Sequence, residues 1–341
     1  MRNLTSTSDL RRWAAVTWLA LACLSLPLFA GCSSDPHLSF LDPQGPIASG
    51  QRTHFFEVLG VLALFVALPV FVLIPFFLWR YRYGNKSARY TPKWEYSGLL
   101  EIASWSGPVL IVVLIAIVVW RDTHALDPYK PLASDQPALR VQAIGYDWKW
   151  LFIYPDQGIA SIGMLALPAG RPLAIEMTSA TVMQSLFIPA LGSQIYAMGG
   201  MVTQLHLMAD KPGKSLGENT MYNGDGFHQQ KFTAVAMTPH DFEAWVAKVR
   251  ASGMALNEQS LKAIAQRGTR AELAAALPQA GQGSSRDGNL YFSGASAALF
   301  PAVVKATKDG TAVALTSGSQ EPPRNSAAAR KPAELPKEKT Q

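Results

Sequence analysis

The side chains best suited to chemistry are few in this 341-residue chain, which holds two cysteines and six histidines. No two histidines lie three or four residues apart, so no helical turn can place a pair of them on a metal ion. The sequence also contains no G-x-S-x-G elbow, no H-E-x-x-H motif and no complete phosphate-binding loop. Of the six histidines, His228 alone lies in a loop polar enough to be considered as a metal ligand. A structural role is favoured for it.

The two cysteines lie in or directly after an apolar N-terminal segment. Three arginines precede an uncharged run over residues 13–30, which ends in small residues before Cys32. This order is typical of a secretory signal peptide, and its end resembles a bacterial lipobox, in which the chain is cut before a lipid-carrying cysteine. We predict a signal peptide over residues 1–31 and lipidation of Cys32, with an uncleaved anchor or a plain signal peptide as the alternative. A lipidated Cys32 leaves the mature chain without a free thiol.

The composition is unusual for a soluble enzyme. Charged residues make up 16% of the chain, against roughly 25% in an average soluble protein. Hydrophobic residues make up 49% and the mean hydropathy is +0.10, which excludes a chain disordered throughout. The net charge of +6 is modest, and no dense basic run favours nucleic acid as a partner.

Two apolar segments, at residues 55–79 and 102–120, are predicted to cross a membrane as helices. The core of the first, residues 58–79, carries no charge over 22 residues. At about 1.5 Å per residue this length crosses the ~30 Å hydrocarbon layer. Trp79 and Trp120 lie at the span ends, as interfacial aromatic anchors do.

The positions of lysine and arginine predict the orientation of these spans. The loop at residues 80–101 carries five of them, whereas the flanking segments 32–54 and 121–138 carry one and two. Because positively charged loops stay in the cytoplasm, we predict a two-pass protein of the bacterial inner membrane with both flanks on the periplasmic side. Glu57 lies at the edge of the first span. It is predicted either to contact a proton or quinone pathway or, as is commoner at a span end, to reach interfacial water.

From residue 139 the apolar pattern changes to a period of two, which is typical of β-strands. Alternating runs begin at Leu139, Leu173, Val202 and Lys231, with turn residues between them. We therefore predict an all-β sandwich or barrel over residues 139–237.

The region at residues 238–305 is predicted to be helical and rich in aromatic residues. Thr238 is suited to cap a helix that begins at Pro239, and an apolar stripe with helical spacing follows at positions 242, 245, 246 and 249. Residues 317–341 are predicted to be disordered, because they offer almost nothing to bury.

Several motifs occur in order along the chain: LDPQG at 41–45, THALDP at 123–128, DWKWLFIYP at 147–155, FIPALGSQIYAM at 187–198 and FEAWVAK at 242–248. These motifs and the order of the segments resemble subunit II of the haem-copper oxidases, whose outer domain is a cupredoxin. The resemblance covers about residues 28–300 and is most specific to the subunit II of bacterial cytochrome bo-type ubiquinol oxidases. It implies a two-helix transmembrane hairpin, a cupredoxin-like Greek-key sandwich and C-terminal helices.

The cytochrome c oxidase branch of this family binds a binuclear copper centre through two histidines, two cysteines, a methionine and a backbone carbonyl. A shift of one residue in the second loop would place His228 on the second histidine position. The resemblance implies a degenerate site without metal, because such a centre needs bridging thiolates. The matching positions in this chain are Gln184, Asn219, Met221, Asn223, Phe227 and Gln230.

The resemblance implies that the chain is a non-catalytic subunit of a proton-pumping ubiquinol oxidase that reduces oxygen to water. The haems and copper are then expected on subunit I, with no cofactor on this chain. The expected partners are subunits I, III and IV and the membrane lipid through Cys32.

Trp148 matches an aromatic residue that passes electrons in the copper branch. Without copper behind it, Trp148 and Trp150, together with Glu57, are predicted to pack against a partner. Two alternatives stay open: a free-standing membrane lipoprotein with a cupredoxin-like binding module, and a copper-bearing cytochrome c oxidase subunit.

Overall fold

The computed structural model describes residues 41–85, 93–251, 254–277 and 288–311. Within these residues, two long apolar helical segments precede a two-sheet β-sandwich, and short helices follow it. This arrangement confirms the predicted fold class. The predicted signal peptide, Cys32 and the predicted disordered tail lie outside the described residues.

The first apolar segment is helical from Pro46 to Arg80. It consists of helix α1 (Pro46–Leu62), a π-helical turn (Ala63–Ala67) and helix α2 (Leu68–Arg80). The wider turn lies directly before Pro69. Since proline lacks an N–H and its ring clashes with the carbonyl four residues earlier, the π-helical turn accommodates it without ending the helix.

Helix α3 (Gly98–Ala125) is the second apolar segment. Both helical segments are longer than the predicted spans, because backbone hydrogen bonding continues past the last apolar residue into polar sequence. Their apolar side chains face outward; Phe71 is 76% exposed and Leu99 is 80% exposed. Both helices are long and apolar enough to cross a membrane.

The start of α1 is attached to the β-sandwich. Ile47 and Ala48 are buried, and the backbone N–H of Gln44 donates to the carbonyl of Ala190 at 2.7 Å. Gly192, with φ of +117°, lies against Ile47. The first residues of this helix therefore belong to the packed part of the molecule.

The described residues form eleven strands in two sheets. One sheet has the order β11-β3-β2-β1-β5-β8 and the other has the order β4-β10-β9-β6-β7. Most neighbouring strands are antiparallel, but β1 pairs in parallel with β5, and β10 with β4. The strands are β1 (Leu139–Tyr146), β2 (Lys149–Tyr154), β3 (Ile159–Ile162), β4 (Met164–Pro168), β5 (Leu173–Ser179), β6 (Gln184–Ile188), β7 (Gly192–Ala197), β8 (Thr203–Leu207), β9 (Gly213–Glu218), β10 (Lys231–Met237) and β11 (Leu290–Ser293).

The alternating runs expected from the sequence correspond to β1, β5, β8 and β10. In contrast, β2, β3 and β4 are buried at every position and therefore lack the alternation that marks a half-exposed strand. The C-terminal region covers the outer face of β2 and β3, and the helix at Pro239–Arg250 packs against β4.

Helix α4 (Pro239–Arg250) begins as its sequence predicts. The hydroxyl of Thr238 accepts the backbone N–H of Asp241 at 3.2 Å, and the predicted apolar stripe is buried. Phe242 and Trp245 pack around Tyr154, with ring centroids 6.4 Å and 5.4 Å away. This helix closes the core between the two sheets.

The remaining C-terminal elements cover the outer face of the six-stranded sheet. They are α5 (Glu258–Ala265), α6 (Arg270–Ala276) and α7 (Leu299–Lys308). Ile264, Leu273 and Phe300 form a second core with Ile144 and Leu151. Because β11 also pairs with β3, the structure differs from the predicted boundary at residue 237: the C-terminal region is part of the sandwich.

Candidate functional site

The structure brings together four of the side chains that the sequence analysis predicts at degenerate copper-ligand positions. Gln184 begins β6, Asn219 and Asn223 lie in the connection from β9 to β10, and Gln230 directly precedes β10. Gln184, Asn219 and Gln230 are buried, with 0%, 4% and 1% of their surface exposed. We call these four residues the amide network.

Gln230 is the centre of the amide network. Its Oε1 accepts hydrogen bonds from Asn219 Nδ2 at 3.0 Å and from Asn223 Nδ2 at 2.7 Å. Its Nε2 donates to the carbonyl of Tyr146 at 3.4 Å and to Oε1 of Gln184. Both ends of this amide are therefore used, and its O and N positions are fixed by the partners.

Gln184 joins the network to the connection between β5 and β6. Its Nε2 donates to the Tyr146 carbonyl and to Thr181 Oγ1, both at 3.2 Å. Gly145 makes room for this side chain, because a Cβ there would lie 2.7 Å from Gln184 Oε1. The β1–β2 turn, β6 and the β9–β10 connection are thus held at one rim of the sandwich.

Both ends of the Asn219 amide form hydrogen bonds with the β9–β10 connection or with β6. Its Nδ2 donates to the carbonyl of Met221 at 2.8 Å, and its Oδ1 accepts the backbone N–H groups of Ser185 at 2.9 Å and of Met221 at 3.0 Å. Met221 therefore takes part through its backbone N–H and carbonyl groups. The family resemblance also predicts a backbone carbonyl at this position.

Phe227 and His228 lie outside the amide network. Phe227 begins a 3-10 turn, and its ring centroid is 5.7 Å from that of Tyr222. His228 is exposed, so the side chain that enters the network from this turn is Gln230. Among the described residues, no group of three or more His, Cys, Asp or Glu side chains lies close enough to hold a metal ion.

Trp148 is half-buried against the same connection. Its Nε1 donates to the carbonyl of Asn223 at 3.3 Å, and the guanidinium of Arg267 lies 4.8 Å from the centre of its ring. Gly226 packs against the indole so closely that a Cβ there would overlap the ring. With φ of +64°, Trp148 adopts a left-handed conformation that is costly for a bulky residue and that these contacts hold in place.

Trp150 corrects a prediction. It is only 2% exposed and lies in the core between the sheets, so it cannot pack against a partner. The sequence motif does not distinguish these two tryptophans. Trp148 is in the turn between β1 and β2, whereas Trp150 is inside β2.

Lys149 is a buried charge that sequence reasoning missed. It is 3% exposed, and its Nζ donates to the carbonyls of Gln266 at 2.7 Å, Gly268 at 2.9 Å and Asp147 at 3.2 Å. Burial lowers the pKa of Lys149 to about 8, because the charged form loses its hydration. This side chain ties the β1–β2 turn to the connection between α5 and α6.

Glu57 contacts the other apolar helix. It forms an ion pair with Arg121, whose Nε donates to Asp122 Oδ1 at 2.7 Å. The second oxygen of Asp122 lies 2.6 Å from Nδ1 of His54. We call His54, Glu57, Arg121 and Asp122 the helix-end cluster, because they join α1 and α3 at the end near the sandwich. The opposite charges near the ends of the two predicted spans were the sequence feature that could have predicted this ion pair.

The chain is similar to known oxidase subunits, although no family model matches it. It is 45% identical over 241 residues to ubiquinol oxidase subunit 2 of Acetobacter aceti, covering 70% of this chain and 76% of that protein. It is 41% identical over 246 residues to cytochrome bo(3) ubiquinol oxidase subunit 2 of Pseudomonas putida, covering 72% and 77%. A solved structure, the periplasmic domain of subunit II of cytochrome oxidase of Bradyrhizobium japonicum, matches with a TM-score of 0.32 and 22% identity, over 35% of this chain and 95% of that domain.

Two helices apolar enough to cross a membrane, joined to a β-sandwich, define a membrane-associated protein with a β-sandwich domain. The identity and coverage then show the family: the chain belongs to the ubiquinol oxidase subunit 2 proteins. This confirms the resemblance expected from the sequence motifs.

Proposed function

We propose that this chain is the non-catalytic subunit II of a proton-pumping cytochrome bo-type ubiquinol oxidase. The complex couples ubiquinol oxidation to the reduction of oxygen to water, and subunit I holds the haems and the copper. The names of the relatives support the ubiquinol oxidase assignment. The observation that supports the non-catalytic role is the amide network.

The residues at the copper-ligand positions do not fit a binuclear copper centre. Four of them are neutral amides, and soft copper centres of this kind require thiolates. The amide groups also bind one another: each amide nitrogen of the network donates to another side chain or to a carbonyl. Phe227 offers no donor atom, and Asn219 already occupies the carbonyl of Met221.

A sandwich without a redox centre cannot take electrons from a soluble protein and pass them on. The electrons of the complex must then come from a donor within the membrane, which agrees with a quinol. In this proposal the amide network keeps the rim in shape by hydrogen bonds alone, and the rim serves as a docking surface for subunit I.

Exposed apolar side chains next to the amide network support this docking role. They lie in the β5–β6, β7–β8 and β9–β10 connections and at the end of β7, and we call them the apolar rim. Large apolar side chains exposed together on one part of a surface favour a protein interface. Its residues are Val182, Met183, Tyr196, Met201, Val202 and Tyr222, each at least 40% exposed.

The placement in the cell follows from the same proposal. The two helices cross the bacterial inner membrane, the sandwich lies on the periplasmic side, and Cys32 carries the lipid anchor. Subunits I, III and IV are the partners, and the exposed apolar faces of α2 and α3 pack against them or against lipid.

The test uses the complex purified through a tag on this chain. We expect it to carry haem, to oxidise ubiquinol and to leave reduced cytochrome c unoxidised. Separation of this chain from the haem-bearing subunit, followed by metal analysis, is expected to show no copper bound to it. Fast turnover of cytochrome c, or stoichiometric copper on this chain, would contradict the proposal. Purification of the chain without any haem-bearing partner would instead favour the free-standing lipoprotein.

A further inference from the structure

The turn between β1 and β2 has an unusual backbone conformation. Tyr146 pairs with Lys149 across the hairpin, so Asp147 and Trp148 are the two central residues of the turn. Trp148, with φ of +64°, is the only residue other than glycine in the described part of the chain that has a positive φ. A two-residue turn with a positive φ at its second central residue alone is of type II, in which that residue is usually glycine.

The peptide group between Asp147 and Trp148 decides the type of this turn. A flip of that group by about 180° converts a type II turn into a type I turn, in which the second central residue has a negative φ. The left-handed conformation disfavours a bulky residue by about tenfold in population, and the type I turn does not carry this cost. A specific contact must therefore hold the carbonyl of Asp147 in its present direction.

The side chain of Lys149 makes this contact. Its Nζ donates to three carbonyls: that of Gln266 at 2.7 Å, that of Gly268 at 2.9 Å and that of Asp147 at 3.2 Å. Because an ammonium group has three N–H donors, all of its donors are used. The bond to Asp147 acts on the same peptide group that sets φ of Trp148.

A neutral amine cannot hold all three carbonyls. It has two N–H donors and a lone pair, and the lone pair repels a carbonyl oxygen. The bonds to Gln266 and Gly268 are the shorter ones, so we expect the carbonyl of Asp147 to be released first. Burial lowers the pKa of Lys149 to about 8, which brings this loss of a proton into the mildly alkaline range.

The charged groups around Lys149 keep their charges in this range. Asp147 in the same turn and Glu272 in α6 favour the ammonium form, but the loss of hydration outweighs them. The guanidinium of Arg267 lies over the Trp148 ring, and that of Arg270 is turned toward Asn289, at 3.0 Å. Carboxylates and guanidinium groups do not titrate near pH 8, so the lysine is the group of this set that changes charge.

We propose that Lys149 is a protonation-dependent latch on the β1–β2 turn: its ammonium group holds the Asp147 carbonyl and thereby the left-handed Trp148, and transfer of its proton to solvent releases the turn. The Trp148 indole packs on Gly226 and donates to the carbonyl of Asn223 at 3.3 Å. Release of the turn therefore also loosens the β9–β10 connection at the rim. This inference does not depend on the proposed function.

The test follows the near-ultraviolet circular dichroism of the full chain in detergent from pH 6.5 to 9.5. We expect one transition in the tryptophan signal, with its midpoint at about pH 8. The ratio of the left-handed to the flipped turn is expected to fall about tenfold, because a hydrogen bond from a charged donor is lost. Trp148→Phe is expected to abolish the transition, since the signal comes from this indole. A wild-type spectrum that does not change over this range would overturn the inference.

Two substitutions of Lys149 fix the end states of the latch. Lys149→Arg stays charged and Lys149→Met is uncharged at every pH of the titration, so we expect neither spectrum to change with pH. The arginine variant is expected to resemble the wild type at pH 6.5, and the methionine variant the wild type at pH 9.5. Lys262→Met is the matched control, because Lys262 is 61% exposed on α5, and it is expected to keep the transition. A transition that persists in Lys149→Met would overturn the inference.

Hydrogen exchange measured by mass spectrometry needs no variant, so it decides the matter even when the variants fail to fold. After correction for the intrinsic exchange rate, we expect protection of residues 146–150 in the wild-type chain to fall about tenfold between pH 7 and 9. Protection of β5 and β8 is expected not to fall, because a lowered lysine pKa makes the whole fold more stable as pH rises. Unchanged protection of residues 146–150, or an equal loss throughout the sandwich, would overturn the inference.

Discussion

The amide network and the helix-end cluster both join segments that are distant in the chain, yet they use opposite chemistry. In the amide network, neutral side chains are buried and hydrogen-bond one another, as Gln184 and Gln230 do across 46 positions. In the helix-end cluster, charged side chains remain partly exposed: Arg121 is 58% exposed and Glu57 is 37% exposed. Every amide nitrogen of the first cluster donates to a partner within the molecule, whereas the side chains of the second cluster remain open to solvent.

The difference follows from the cost of removing polar groups from water. A neutral amide can be buried at little net cost when both of its ends find partners, and an unpaired one costs about 1–3 kcal/mol. A charged group loses far more on burial, so charged pairs stay near solvent unless their geometry is excellent. We therefore expect substitutions in the amide network to lower the free energy of unfolding more than substitutions in the helix-end cluster do.

Gln230→Leu is expected to have the largest effect on stability. The substitution leaves Asn219 Nδ2, Asn223 Nδ2 and Gln184 Oε1 without this partner in a buried site. We expect the free energy of unfolding to fall by about 3 kcal/mol, at roughly 1 kcal/mol for each of these three lost hydrogen bonds. Chemical denaturation of the chain in detergent, followed by tryptophan fluorescence, measures this.

The matched control for this prediction is Gln229→Leu. Gln229 is the preceding residue, its side chain is exposed, and the change is chemically identical. We expect its unfolding free energy to stay within about 0.5 kcal/mol of the wild type. Similar losses in both variants would show that the amide network does not hold the rim.

The elements that sequence alone predicts are those set by local interactions. The cap of α4 at Thr238 and its buried stripe need only neighbouring residues, and both were predicted. Strands β2 to β4 were not predicted as strands from their own pattern. Strands β2 and β3 are covered on both faces by elements far away in the sequence, which removes the period of two.

The candidate site could be predicted from the sequence even less well than these strands. The amide positions came from a family resemblance, because glutamine and asparagine are common and their types alone do not indicate a site. Lys149 finds its acceptor 117 residues away, and Arg121 finds Glu57 64 residues away. Nothing in the local sequence encodes such pairings, since they depend on how the sheets and helices pack.

Lys149 adds a buried charge next to the amide network, and its effect depends on pH. Its pKa is about 8 in the folded chain, against 10.5 for an exposed lysine. Between these values the unfolded chain binds more protons, so stability rises with pH; below about pH 8 the cost of the buried charge is fully present. From about pH 7.5 to 9.5 we expect a gain of about 2 kcal/mol.

The control for the lysine is Lys149→Met, which keeps the length of the side chain and removes the charge. We expect its unfolding free energy to be flat over the same pH window, whatever its absolute value. Measurements stop below pH 10, because burial raises the pKa of Tyr146 and Tyr154 in the folded chain. Above that pH these tyrosines lose their protons in the unfolded chain first, which lowers stability. A slope that persists in Lys149→Met would assign the pH dependence to another group.

Glu57→Gln is expected to have the smallest effect on stability. It tests how little the charged helix-end cluster contributes to stability in comparison with the amide network. The substitution removes an ion pair with Arg121, but both side chains are partly exposed, and Asp122 still holds the guanidinium. Exposed ion pairs of this kind contribute little, so we expect the Tm of the complex to change by less than about 2 °C. Differential scanning calorimetry at low and high salt measures this, and high salt is expected to reduce even that difference. A loss of stability comparable to that of Gln230→Leu would mean that the helix-end cluster is a folding determinant, and the contrast with the amide network would fail.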